Sequence, residues 1–115
     1  MTDRELLELA AKAAGLNAVW KEGHCKGGYY EAAFVDGQSW NPLQDDGDAL
    51  RLAVKLRLQV TPGTYNSDEF TVYRAGYAEC HEHVHYQQDQ CAATRRAIVR
   101  AAAEIGKAVQ KPLAP

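Results

Sequence analysis

Residues 17–37, NAVWKEGHCKGGYYEAAFVDG, decide the fold. Asn17 to Lys21 reads as a strand centred on Val19 and Trp20. His24-Cys25-Lys26-Gly27-Gly28 reads as a loop, and Tyr29 to Val35 as a second strand. Asp36-Gly37 is a strong turn signal. Strands joined by turns this short pair as a hairpin or meander, which favours an antiparallel or mixed sheet.

Upstream, Thr2 and Glu5 have capping-box spacing, and Leu6, Leu9, Ala10, Ala13 and Ala14 form one helical face. Gly15 ends this first helix, over residues 3–14, where a left-handed cap is usual. Downstream, Trp40-Asn41-Pro42-Leu43 opens a turn, with Asn41 able to cap and Pro42 suited to a first helical position. Asp45, Asp46 and Asp48 suit a helix start, and Lys55 and Arg57 a last turn. Ala49, Leu50, Ala53, Val54 and Leu56 supply the apolar stripe between them. Leu58 to Val60 either continues that helix or begins a strand, and Thr61-Pro62-Gly63 breaks it. Glu69 to Ala75 and Tyr77 to Tyr86 read as strands. A last helix spans about Cys91 to Ile105, with Ala97, Ile98, Ala101, Ala102 and Ile105 on one face, Gly106 as its stop, and 107–115 as a frayed tail.

The expected fold is α/β in the α+β sense. A mixed or antiparallel sheet of four to five strands is covered by three helices, in the order α-β-β-α-β-β-(β)-α. The 115 residues fit a single domain, 1–115. A 46% hydrophobic fraction supports a packed core, and burial of further surface by self-association would add to it. The net charge of −2 gives no general attraction to nucleic acid polymers or anionic membranes. Three cysteines with no paired spacing fit free thiols in a reducing compartment. The acidic, amphipathic start MTDRELLELAAKAAG does not read as a signal peptide, and no window reaches the length of a transmembrane helix. The expected location is cytoplasmic.

Four groups of residues could carry chemistry. Arg96 and Arg100 rise from one helix face one turn apart, with Lys107 two turns further on. Arginine forks grip phosphate oxygens in pairs, which suits a diphosphate or cyclic phosphodiester; the alternative is a solvated face. His81, His83 and His85 alternate on a strand and so share a side. Steps of two residues place them about 7 Å apart, too far for three to reach one zinc ion easily, so no metal is expected. Lys26 with Gly27 and Gly28 either cradles a phosphate or forms a hairpin loop. Trp40 before Asn41-Pro42 either anchors the turn in the core or stacks on a base. There is no nucleophile elbow, His-Glu-x-x-His, Cys-x-x-Cys or dinucleotide fingerprint, so the sequence reads as a binding protein without cofactor.

Residues 40–54, WNPLQDDGDALRLAV, and 92–106, AATRRAIVRAAAEIG, together resemble the phage ABA sandwich domain of phage and prophage genomes. The chain is also similar to the Thoeris anti-defence sponge proteins. The resemblance implies a non-enzymatic protein that binds cyclic ADP-ribose isomers made by Toll/interleukin-receptor domain enzymes. It implies a dimer or higher homo-oligomer in the cytoplasm of an infected bacterium, with cyclic trinucleotides as further ligands in some members. Two arginines one turn apart in the last helix grip the phosphates in that family, and Arg96 and Arg100 match them. The family's base-stacking aromatic and polar partner precede that helix, where Tyr77, His83 and Tyr86 stand here. The competing expectation is an inhibitor module that docks on a protein and holds no small ligand.

Overall fold

The computed structural model describes residues 1–61, 69–73, 80–83 and 90–110. The first helix, α1 (Asp3–Ala13), begins as its capping box predicts: the Thr2 hydroxyl accepts from the Glu5 N–H at 3.2 Å. Gly15 leaves it at φ 68°. Three antiparallel strands follow, β1 (Val19–Cys25), β2 (Gly28–Val35) and β3 (Gln38–Trp40), in the order β1-β2-β3. Asp36 and Gly37 both take positive φ, 52° and 79°, as a tight turn between twisted strands requires. β1 continues through residues expected to form a loop, because Glu22, Gly23 and His24 pair with Glu31, Tyr30 and Tyr29. Only Lys26 and Gly27 remain as the turn.

In the next segment, the Asn41 carboxamide accepts from the Leu43 N–H at 3.1 Å, and its carbonyl accepts from Gln44 and Asp45. Asp45 then caps α2 (Asp46–Leu56), accepting from the Asp48 N–H at 2.8 Å. Arg57 lies beyond the last turn as a left-handed cap, φ 55°, which ends the helix and lets Gln59 start a strand. β4 (Gln59–Thr61), β5 (Glu69–Tyr73) and β6 (Cys80–His83) form a second antiparallel sheet in that order. α3 (Gln90–Gln110) closes the described chain.

The class is α+β with three helices, as the sequence predicts. Among the described residues the strands are divided into two sheets of three, where one sheet was expected. The dividing element is α2: Pro42 and the Asn41 turn stop the first meander, and the helix carries the chain away before β4 begins.

The core lies around α3, which packs against α1, α2, β5 and β6. Between Ala97 and Gly106 only Arg100 and Glu104 are not buried. A helix enclosed on nearly all sides must be apolar nearly all round. Gly106, expected to stop this helix, lies inside it. A Cβ there would overlap the Leu9 carbonyl, so the glycine permits a close approach of the α1 and α3 backbones. The expected frayed tail is helical as far as Gln110, and 111–115 lie outside the described residues. No helix among the described residues is long and apolar enough to cross a membrane.

Candidate functional site

Burial on most sides leaves α3 one polar stripe, Arg96, Arg100, Glu104 and Lys107, at spacings of four, four and three residues. The Arg96 side chain is 44% exposed and donates to the Asp3 carboxylate at the start of α1, at 3.2 Å. Arg100 is half-buried one turn later, about 6 Å along the axis. The Lys107 ammonium is bonded to Glu104 at 3.1 Å.

Arg95, passed over in the sequence, faces inward. It shares a helix face with Ile98 and Ala102 at spacings of three and four, and that spacing was the available signal. Its Nε donates to the Leu43 carbonyl at 2.9 Å and its Nη1 to Asp46 at 2.6 Å. Arg95 therefore clasps α3 to the turn that opens α2. It joins the two segments that carry the family resemblance.

Beside this clasp lies a cleft of about 510 Å³ between the start of α1, the β1-β2-β3 sheet and residues 40–44. Leu7, Ala33 and Trp40 are its buried floor, and Trp20 forms a wall. Trp40 thus takes the core-anchor role while still lining a cavity. The Arg4 guanidinium lies 4.7 Å from the centre of the Trp20 ring. It is held there by Glu8, Glu22 and Glu31 at 2.9–3.0 Å. Those carboxylates, Glu22 foremost, raise the Arg4 pKa, and Arg4 in turn holds Glu22 below the ordinary carboxylate range, with help from the Tyr29 hydroxyl. Glu22 and Glu31 are direct cross-strand partners, a repulsive pairing that the shared guanidinium offsets.

Two other cavities neighbour the core. One, also about 510 Å³, shares Trp40 and has Arg51 and Lys55 one turn apart at its edge. Arg51 is engaged by Asp48 at 2.7 Å. The other, about 440 Å³, is an apolar groove between α2 and α3 lined by Ala49, Ala53, Val60 and Ile98.

Of the residues singled out in the sequence, Arg96 and Arg100 stand together on α3, and Arg96 reaches the cleft through Asp3. Lys26 is placed elsewhere, exposed at the tip of the β1–β2 hairpin, and lines none of these three cavities. Tyr77, Tyr86 and His85 lie outside the described residues. The backbone of His83 pairs with Glu69 and that of His81 with Thr71; their side chains are likewise outside the description. Cys25 and Cys91 are exposed free thiols. No protein family, curated protein or solved structure matches the chain.

Proposed function

We propose that this chain is a non-enzymatic phage binding protein that sequesters a cyclic nucleotide messenger, a cyclic ADP-ribose isomer or a cyclic oligonucleotide. Arg96 and Arg100 hold its phosphates. Tyr77, His83 and Tyr86 remain the further ligand contacts implied by the resemblance. The observation that carries this reading is the setting of Arg96 and Arg100. Two guanidinium groups one turn apart rise from a helix enclosed on its other sides, so their backbone is held rigidly before any ligand arrives. A pair of forks on a fixed backbone suits two phosphates of one small molecule. Sequestration needs no acid, base or nucleophile; a tight site at high copy number lowers the free messenger below what its effector requires.

The test is incubation with a panel of cyclic nucleotides, followed by heat release and chromatography. The ligand should return chemically unaltered. Calorimetry should show Arg96→Ala and Arg100→Ala each weakening binding about ten- to a hundredfold, since each charge-assisted contact is worth about 1.5–3 kcal/mol. A consumed or converted ligand would make the protein an enzyme. No binding by any member of the panel would favour the docking module, for which exposed Leu50 and Val54, neighbours on α2, are the supporting feature.

A further inference from the structure

The cleft beside Arg96 has a lining unlike that of a phosphate site. Both tryptophans of the chain line it, although each comes from a different strand. Its charged residues are Asp3, Arg4 and Glu31, an excess of one negative charge. Arg4 is already shared among three carboxylates and stacked on Trp20. An anion entering the cleft would meet two carboxylates and no uncommitted cation, so the phosphates must stay outside it. They have a place immediately outside, on the α3 face of Arg96 and Arg100, where a phosphate would take over the Arg96 contact now made by Asp3.

We propose that this cleft receives the base of the bound nucleotide, and that the base is an aminopurine of the adenine type. The proposal rests on the sequestration reading above and extends it to the same ligand. The apolar floor of Leu7, Ala33 and Trp40 and the Trp20 wall suit a flat aromatic ring, because every base has a π-face that stacks on indole. Arg4 fixes the Trp20 ring in place before the ligand binds. Asp3 and Glu31, both in the lining, are acceptors only, so they favour a ring edge carrying an amine over one carrying a carbonyl. Asn41, also in the lining, accepts from the Leu43 N–H through its carboxamide oxygen, so the group it can offer a ring nitrogen is its NH₂ donor. At about 510 Å³ the cleft is within the size range of small-ligand pockets. A site built to hydrogen-bond an amine discriminates strongly against a ligand that lacks it, because its polar groups are then left unpaired.

The placement of both tryptophans supplies the assay. Wild-type protein is titrated with cyclic ADP-ribose and with its hypoxanthine counterpart, which keeps both phosphates and replaces the amine by a carbonyl. Binding is followed in parallel by calorimetry and by tryptophan emission. The expected result is quenching of emission that saturates with the calorimetric isotherm, and at least about tenfold weaker binding of the hypoxanthine ligand. Trp20→Leu should weaken cyclic ADP-ribose about tenfold or more, whereas Arg96→Ala should weaken both ligands by the same factor and keep their ratio. Calorimetric binding with unchanged emission and equal affinity for both ligands would overturn the base cleft and leave sequestration standing. No heat with any cyclic nucleotide would overturn both. If Trp20→Leu does not fold, the two wild-type titrations still decide.

Discussion

Arg95 and Arg96 are adjacent, identical in type and opposite in use. The Arg95 side chain is 14% exposed and spends its donors on the Leu43 carbonyl and Asp46, so it holds two segments of the fold together. Arg95→Ala should therefore lower stability by about 1–3 kcal/mol, mainly through the orphaned Leu43 carbonyl, since Asp46 is exposed. Arg96→Ala should leave the melting temperature almost unchanged while weakening ligand. Thermal melts of the two variants side by side separate the roles, and equal melting temperatures would remove the clasp. Arg4 gives a pH-dependent counterpart. It lowers the pKa of Glu22, so the stabilisation is present above the ordinary glutamate pKa and is lost as pH falls through the lowered value. Arg4→Leu should melt below wild type at neutral pH, and the gap should narrow as pH falls below the ordinary glutamate range and Glu22 protonates. A gap that does not change with pH would assign the effect of Arg4 to its packing on Trp20 alone. The sequence makes none of these pairings visible, because Arg4 meets Glu22 and Glu31 only after the chain has folded back.

Among the elements, α3 carries the most information. Its start and amphipathic periodicity are legible from residues 91–105, but its continuation to Gln110 is not, and its enclosure is not read from one apolar face. The signal for enclosure is present all the same: from Ala97 to Gly106 only Arg100 and Glu104 are polar. Gly106 reads as a helix stop because glycine is usual just beyond a last turn. Here it is kept for contact with Leu9 on α1. Gly106→Ala improves helix propensity by about 1 kcal/mol, yet it should destabilise the protein on balance, because overpacking against a backbone carbonyl costs about 1–3 kcal/mol or more. A fall in melting temperature on denaturation is the expected measurement. A rise would mean that α1 and α3 part easily. The hairpin shows the reverse case. Asp36-Gly37 is legible in full, since the turn depends on two residues and the pleat on either side of them.

Across the whole molecule, the Cα envelope measures 49 × 43 × 23 Å, and its radius of gyration is 14.9 Å. A compact ball of this length would have about 13 Å, so the protein is a flattened slab. A slab has more surface for its volume, and this one leaves apolar side chains outside. Leu50 and Val54 on α2 are 65% and 67% exposed, and Val19 and Tyr30 are exposed on the first sheet. Burial of these groups against a second copy would recover roughly 25 cal/mol for each Å² of apolar surface covered. Light scattering should therefore give a dimer or larger at micromolar concentration. Leu50→Glu should shift that mass toward the monomer if α2 is the face used. A monomer mass for wild type throughout would contradict the expectation.

The sequence by itself determined the three helices, the Thr2 cap of α1, the Asp36-Gly37 turn and the α+β class. All of these follow from interactions between residues a few positions apart, whose chemistry is written in the local string. Only the tertiary structure decided that the described strands form two sheets, that Arg95 is a clasp, and that Gly106 is a helix contact. It also decided that Trp20 and Trp40 share one cleft beside Arg96. Each of these joins residues from separate elements, and their meeting depends on how the helices bury α3 rather than on any local preference.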